Sequence, residues 1–355
     1  MQALIVAACA FVLAVVFGKL IIPALRALHA GQSIREIGPS WHNSKAGTPT
    51  MGGLIFIAAA ALCTIAGGWR SMLAGNLTHL YVLAFALVFG IIGFLDDFMK
   101  VKYKRNLGLT AIQKLALQLA AAGAYLALLR WNGDLTCDLY IPFWNVCFEI
   151  NWIVYLIFAM FVIVGCVNAV NLTDGIDGLA SGVTLPVMVF FAVTAWMWGK
   201  TTLALLPAAM AGGLAGFLVY NFHPAKVFMG DTGSLFLGGM VCGLAGFLVY
   251  NFHPAKVFMG DTGSLFLGGM VCGLAFALDM PLVLILVGII YIMETVSVIM
   301  QVTYFKLTHG KRIFRMTPIH HHFEMGGWSE EKIFTVFVGI TVLMCILAFI
   351  GVSGR

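Results

Sequence analysis

Charged side chains are scarce in this chain: Asp, Glu, Lys and Arg make up 10% of its 355 residues, and 61% are hydrophobic. Soluble domains carry about 25% charged residues, so this composition excludes an ordinary soluble protein. The basic stripes with stacked aromatics that nucleic-acid binders need are lacking, so we expect no nucleic-acid partner. The first apolar stretch also lacks the preceding basic residues of a signal peptide, and we interpret it as a membrane span.

What the chain does have is a series of apolar runs near the roughly 20 residues that a spanning helix needs. Helices are expected because each run satisfies its own backbone hydrogen bonds inside a bilayer. The sequence predicts an all-α polytopic membrane protein of about ten transmembrane helices, forming a single integral membrane domain over residues 1–355. The predicted spans are 3–25, 52–68, 78–95, 112–130, 152–171, 178–198, 203–221, a repeated region, 280–303 and 332–352.

Basic residues are concentrated in one class of predicted loops, whereas Arg70 and Lys200 are nearly alone in the other. Because Lys and Arg favour the cytoplasmic side, this pattern places the N-terminus outside and the acidic motifs at the cytoplasmic face. Cys137 and Cys147 share an outer loop, where they either pair or remain free thiols. The basic residues of the cytoplasmic loops are Arg35, Lys45, Lys100, Lys102, Lys104, Arg105, Lys114, Lys306, Lys311, Arg312 and Arg315.

Residues 213–245 recur letter for letter as residues 243–275, at an offset of 30. A repeat architecture needs several related units, and nothing else in the sequence repeats. Segment 235–250 lies between the two copies of VFMGDTGS, and a single crossing there would invert the topology of everything that follows. We therefore expect one copy to occupy the functional site, and the sequence leaves open whether that copy contains Asp231 or Asp261.

Four short acidic motifs lie where apolar runs meet polar loops. Carboxylates are costly at membrane depth, so acids in such positions are usually functional. Asp96 and Asp97 end the third span, and neighbouring helix residues point about 100° apart, which predicts different roles. Asp231 and Asp261 each lie in a GDTG sequence, where backbone N–H groups can bind an anion and the carboxylate a divalent ion. The motifs predict a site for a metal ion and a phosphate at the membrane surface.

The motif NAVNLTDGIDG carries polar side chains at spacings of three near the end of a span. This spacing predicts that they share roughly one helical face. A capped helix–turn–helix explains the glycines and one Asp, but not the whole cluster, so we interpret the cluster as functional. Its members are Asn168, Asn171, Asp174 and Asp177.

Three consecutive histidines, His320, His321 and His322, follow a group of basic residues. Consecutive helix residues do not all face one ion, so the pattern disfavours a zinc site. Histidines beside Lys and Arg favour a phosphate or nucleotide clamp. Glu294 is well inside a predicted span, and we interpret it as structural, with hydrogen bonds within its own helix region near Gln301.

Six motifs together make the chain similar to a known family. In order, and over essentially the whole chain, they resemble the phospho-N-acetylmuramoyl-pentapeptide transferases. That family is a branch of the polyprenyl-phosphate N-acetylhexosamine-1-phosphate transferase superfamily and has the MGDTGS loop once, so the second copy departs from its pattern. The motifs are SKAGTPTMGG, GFLDDFMK, NAVNLTDGIDGLA, NFHPAKVFMGDTGS, ETVSVIMQV and RMTPIHHHFEMGGW.

The resemblance implies a homodimer in the bacterial inner (plasma) membrane, with both termini outside and a cleft facing the cytoplasm. It implies Mg²⁺-dependent transfer of phospho-MurNAc-pentapeptide from UDP-MurNAc-pentapeptide to undecaprenyl phosphate, a membrane lipid, giving lipid I and UMP for peptidoglycan synthesis. Asp96 and Asp97 match the acidic pair of the family, and Asp231 or Asp261 matches its Mg²⁺ ligand. The residues implied for the substrate pocket are Lys45, Thr50, Lys114, Asn168, Asn171, Asp174, Asp177, Asn221 or Asn251, Gln301, His320, His321 and His322.

Two mechanisms and two rival functions stay open at this point. The lipid phosphate either attacks the β-phosphorus in line, with Asp96 accepting a proton, or a covalent aspartyl intermediate forms. The rival functions are a sister transferase that uses UDP-GlcNAc and a cation-coupled transporter. A transporter predicts acids near the bilayer midplane and broken spans in paired halves, and only Glu294 comes close to that pattern.

Overall fold

The structure is a computed structural model that describes residues 1–27, 49–103, 108–221 and 257–355. Nine of its described helices are long and apolar enough to cross a membrane, which confirms the predicted all-α polytopic fold. In the numbering given next, these nine are α1 to α8 and α12. The helices are α1 (Gln2–Ala27), α2 (Gly53–Leu73), α3 (Thr78–Tyr103), α4 (Ala111–Asn132), α5 (Trp152–Thr173), α6 (Leu179–Met197), α7 (Thr201–Asn221), α8 (Gly260–Ala277), α9 (Leu284–Val287), α10 (Ile289–Leu307), α11 (Ile319–Glu324) and α12 (Glu330–Val352).

One further crossing is bent. A 3-10 turn at Pro281–Val283 continues into α9, and this segment meets α10 at an angle of 81°. The bend lies at Gly288, whose N–H bonds to the carbonyl of Leu284 at 2.9 Å. Counted as one span, the bent pair brings the described crossings to ten, the predicted number. The sequence predicted a continuous span over 280–303, whereas the structure has a bend at Gly288 within this span.

A short antiparallel hairpin joins α4 to α5. Its strands are β1 (Asp138–Ile141) and β2 (Val146–Glu149). The turn between them packs against the end of α12, where the Phe143 N–H donates to the carbonyl of Gly351 at 2.9 Å. Cys137, just before β1, and Cys147, in β2, are free thiols, which settles the pairing that the sequence left open.

Helix α8 is the most enclosed span, with nearly every side chain buried, and it packs along α3 and α5. Small residues allow this close approach, as they do in other membrane helix pairs. A Cβ at Gly93 of α3 would collide with the backbone of Asp261, so only glycine permits this contact. The packing therefore brings the start of α8 directly against the last turns of α3.

The end of α7 and the approach to α8 lie together. The side-chain amide of Asn221, the last residue of α7, donates to the carbonyl of Val257 at 2.9 Å. The chain thus leaves α7 and enters α8 at the same end of the bundle. The inversion that a crossing of 235–250 would have caused does not occur in the described helices.

Candidate active site

Three carboxylates converge where α3 ends and α8 begins. Asp96 and Asp97 lie near the end of α3, and Asp261 lies in the first turn of α8. Carboxylate oxygens of the three residues lie within 4.8 Å of one another, and Asp96 and Asp97 are almost fully buried. Like charges at this distance repel strongly in a buried setting. The cluster therefore requires cations or hydrogen-bond donors around it.

Asp97 satisfies N–H groups at the start of α8 that have no partner within the helix. Its Oδ2 accepts from the backbone N–H of Thr262 at 2.9 Å and from the hydroxyl of Thr262 at 2.7 Å. The residue before the helix, Met259, supplies no side-chain cap, so the capping carboxylate comes from another helix. Asp97 thereby fixes the position of Asp261.

Asp96 has a different set of hydrogen-bond partners from Asp97. Its Oδ1 accepts from the backbone N–H of Leu109 at 2.8 Å, and its Oδ2 lies 2.6 Å from Nζ of Lys100. Asp96 and Asp97 thus meet different partners, in agreement with the 100° separation expected of neighbours on a helix.

The ammonium of Lys100 lies among all three carboxylates. Its Nζ is 2.6 Å from Asp96, 2.8 Å from Asp261 and 3.9 Å from Asp97. The Nζ of Lys114 approaches Asp261 at 2.9 Å. Two lysines against three carboxylates leave this cluster with an excess of negative charge. Lys100 is a site residue that was not predicted from the sequence, although its spacings of three and four from the acidic pair could have indicated it.

The donor set of this cluster fits a small divalent ion. Mg²⁺ prefers oxygen ligands, especially carboxylates. Here three carboxylates already surround one cationic group, the Lys100 ammonium, which marks the place where a cation is favoured. Asp96, Asp97 and Asp261 are the residues that could hold such an ion.

The end of α5 supplies a further wall. Asn171 donates to Asp261 Oδ1 at 2.8 Å and to the Ser264 hydroxyl at 2.7 Å. Asp174 follows the helix end at Thr173. Burial raises the pKa of the Asp174 carboxyl well above its usual range, and the negative charges of Asp261, Asp97 and Asp177 add to this shift. Asp174 is thus part of the same electrostatic site.

Asn168 and Asp177 depart from the predicted single face. Asn168 lies one turn deeper in α5 and donates to Gln118 of α4 and to the Val164 carbonyl, both at 2.8 Å. Asp177 lies beyond the helix, in the turn before α6, and its N–H donates to Glu330 at 3.3 Å. The prediction of one shared helical face is therefore wrong, because α5 ends at Thr173.

Thr50 adjoins the site just before α2, and Asn221 lies at the end of α7 beside the approach to α8. A Cβ on Gly260 would come within 2.6 Å of the Thr50 hydroxyl, so this threonine lies directly beside the start of α8. Asn221 is buried, and its side-chain oxygen accepts from Ser181 at 3.1 Å. Lys45, Asp231 and Asn251 lie outside the described residues.

The three histidines have three different environments. His320 is fully buried, and its Nδ1 lies 3.0 Å from the Glu294 carboxylate. His321 pairs with Glu324 at 2.9 Å, and His322 accepts from the backbone N–H of Arg315 at 3.2 Å. Each imidazole thus has its own polar partner, and the rings of His320 and His321 lie 4.1 Å apart between centroids.

Glu294 has a longer reach than the sequence suggested. Its backbone carbonyl accepts locally from the Ser297 hydroxyl at 2.7 Å, whereas its carboxylate holds the ring of His320, 26 positions away. The other ring nitrogen of His320 has no hydrogen-bond partner among the described residues and lies against Gly175, where a Cβ would collide with it. Glu294 therefore links a membrane helix to the loop after α5.

Gln301 lies apart from the acidic cluster. Its side-chain oxygen accepts from the backbone N–H groups of Ile313 and Phe314, at 3.1 and 2.9 Å. In these contacts Gln301 orders the loop that leads to the histidines.

Comparison with family models supports a close relationship to known transferases. The model of glycosyl transferase family 4 matches residues 79–245 and 239–279, two pieces that overlap inside the repeat. A signature of phospho-N-acetylmuramoyl-pentapeptide-transferases matches residues 45–57.

Individual relatives agree over almost the full length of the chain. The chain is 44% identical to a phospho-N-acetylmuramoyl-pentapeptide-transferase of Clostridium beijerinckii, over 96% of this chain and 94% of the relative. It is 42% identical to the protein of that name from Listeria monocytogenes, over 96% and 97% of the two chains. A Caldanaerobacter subterraneus protein of the same name is 42% identical over 97% and 96%.

Proposed function

This chain belongs to the phospho-N-acetylmuramoyl-pentapeptide transferase family. We therefore propose that it transfers phospho-MurNAc-pentapeptide from UDP-MurNAc-pentapeptide to undecaprenyl phosphate. The products are lipid I, used in peptidoglycan synthesis, and UMP. We place the protein in the bacterial inner membrane, with the acidic cluster facing the cytoplasm, because the basic loops lie at that end. A homodimer is part of the same proposal, taken from the family resemblance.

The observation that carries the proposal is the convergence of three carboxylates on one cationic group. A sugar nucleotide carries a negatively charged pyrophosphate, which carboxylates would repel without a cation between them. A bound Mg²⁺ would neutralise phosphate oxygens and stabilise the charge that develops in phosphoryl transfer. We assign the ion to Asp261, with Asp96 and Asp97 beside it, and assign Lys100 and Lys114 to the remaining phosphate charge.

We propose direct transfer rather than a covalent aspartyl intermediate. An oxygen of the lipid phosphate forms a bond to the β-phosphorus, the bond from that phosphorus to the bridging oxygen breaks, and its electron pair leaves with UMP. Asp97 is a poor nucleophile because its Oδ2 already accepts two hydrogen bonds from Thr262. Asp96 would accept the proton of a lipid phosphate that arrives protonated.

The remaining polar residues would bind the sugar nucleotide. We assign Asn171 and Asp174 to one wall of its pocket, since both adjoin the acidic cluster. His320 and His321 would face it from the loop before α12, with the His320 ring held by Glu294. The same pocket includes Thr50, Asn168, Asp177, Asn221, Gln301, His322 and, outside the described residues, Lys45.

Release of UMP from purified protein tests this function. With undecaprenyl phosphate present, UDP-MurNAc-pentapeptide should yield UMP, and UDP-GlcNAc should not. Release with UDP-GlcNAc alone would replace the assignment with the sister transferase, and cation flux without UMP would favour the transporter. A phosphorylated enzyme, trapped with the UDP-sugar but without lipid, would contradict direct transfer.

A further inference from the structure

The exact repeat raises the question of which copy builds the site. The first copy supplies the end of α7, up to Asn221, and the second supplies residues 257–275, which include the start of α8. Within each copy this Asn and this Val are six positions apart: Asn221 and Val227 in the first, Asn251 and Val257 in the second. In the structure the bonded pair comes from different copies and is 36 positions apart.

The Asn221 side of this junction is firmly held. Asn221 is 1% exposed, its amide donates to Val257, and its oxygen accepts from Ser181 of α6. A buried amide with both ends satisfied is costly to remove, because its partners would lose their hydrogen bonds. The first-copy asparagine therefore occupies a built position.

The second-copy segment is held as firmly on its other side. The Phe258 N–H donates to Pro49 at 2.9 Å, and the Phe258 carbonyl accepts from Gly52 at 2.7 Å. Asp97 then caps the helix through Thr262. These backbone contacts at Phe258 and Thr262 fix residues 257–264, the VFMGDTGS sequence of the second copy, against α2 and α3.

We propose that the working site is composite, with its buried amide from the first copy, Asn221, and its metal-binding acid from the second, Asp261. On this proposal the chain contains one repeat length, thirty residues, more than the site needs. This inference rests on the proposed function for its activity assay, but its structural content can be tested without it.

Excision of thirty residues gives the first test. Because the repeat is exact, every thirty-residue deletion with both ends inside it produces the same shortened chain. That chain keeps a connection of about eight residues between α7 and α8, within the usual range for helix bundles. We expect it to release UMP within about twofold of the full chain. Loss of activity in the excised chain alone would contradict the proposal.

Four single substitutions in the full chain give a crossed pattern. Asp261→Asn should reduce UMP release by about 100-fold or more, and Asn221→Ala by about tenfold. The same changes in the identical sequence of the other copy, Asp231→Asn and Asn251→Ala, should have effects within about twofold. Sensitivity of a matched pair from one copy, Asn221 with Asp231 or Asn251 with Asp261, would overturn the composite site.

Cross-linking provides a readout that needs no activity. Asp97→Cys combined with Thr262→Cys should react with a short bifunctional thiol reagent in membranes, since these side chains touch at 2.7 Å. The control pairs Asp97→Cys with Thr232→Cys in the first copy, and peptide mapping by mass spectrometry should find no link. Linkage of the control pair alone would overturn the proposal. A full chain that releases no UMP would contradict the proposed function, and the cross-links would still decide the composite site.

Discussion

Helix α8 has an acidic residue near each end, and the two acids have opposite surroundings. Asp261, in its first turn, lies among two other carboxylates and two lysines. Asp279, two residues beyond its last turn, accepts from Thr136 at 2.6 Å and lies 3.5 Å from the Arg355 guanidinium. Burial raises the pKa of the Asp279 carboxyl, against the lowering effect of Thr136 and Arg355.

The difference separates a site from a structural contact. At the Asp279 end Arg355 donates to the Asp279 carbonyl at 2.8 Å, and Lys200 and Asp134 lie near this pair, so two acids face two basic residues and the charges balance. At the Asp261 end three carboxylates face two lysines, and the Lys100 ammonium lies among all three carboxylates. An excess of buried negative charge is costly unless a cation offsets it. Such an imbalance indicates a binding site, whereas a balanced pair indicates a contact that holds the fold together.

Among the tests of the two ends of α8, removal of divalent ions should cause the largest loss of UMP release. EDTA should reduce UMP release to background and Mg²⁺ should restore it, because the acidic cluster would otherwise repel the pyrophosphate. The melting temperature should also fall in EDTA, because an ion that binds only the folded protein stabilises it. Full activity in EDTA would contradict the assignment of a metal to the acidic cluster.

The same substitution at the two ends of α8 should then give very different results. Asp261→Asn should lower UMP release by about 100- to 1000-fold, because it removes a charge that acts on the transferred group. Asp279→Asn should change UMP release by less than about twofold. Equal losses of activity from both changes would show that charge imbalance does not identify the site.

Lys100→Met should strengthen cation binding while it slows turnover. The ammonium occupies the space among the carboxylates, so its removal should tighten Mn²⁺ binding by about tenfold, or about 1.4 kcal/mol. Titration monitored by electron paramagnetic resonance measures this constant. Lys102→Met is the matched control, because Lys102 lies over the Phe98 and Tyr103 rings, at 5.9 and 5.7 Å. Weaker Mn²⁺ binding in Lys100→Met would show that the lysine supports the ion instead of competing with it.

The smallest change is expected from Thr136→Val, beside Asp279 at the C-terminal end of α8, and it is a change in stability. The change removes the hydroxyl that donates to Asp279 and should cost about 1 kcal/mol of unfolding free energy. A melting curve in detergent checks the size of the loss, and UMP release at low temperature should match that of the unchanged chain. A loss of activity without a loss of stability would assign this end a functional role.

The spans and the acidic cluster were largely predictable from the sequence. Long apolar runs set the number of crossings, and the ends of those runs located Asp96, Asp97 and Asp261 near one surface. The break at Gly288 was not predictable, because hydropathy is continuous across it. The contact between Glu294 and His320 was not predictable either, because no local pattern indicates a partner 26 positions away.

The repeat shows a second limit of reasoning from sequence. Two identical segments have identical propensities, so no local pattern distinguishes Asp231 from Asp261. Only the long-range contacts of Gly52, Asp97 and Asn221 select the packed residues. The expectation that one copy occupies the site stays a prediction, and among the described residues Asp261 of the second copy is the one that joins the acidic cluster.

The hydrogen bond between Asn221 and Val257 also makes this junction a natural attachment point for protein engineering. Exit and return of the chain lie side by side, so a foreign domain whose own termini are close together could replace the thirty extra residues without pulling α7 from α8. A fluorescent protein or an affinity module inserted here would then report from the same end of the bundle as the acidic cluster.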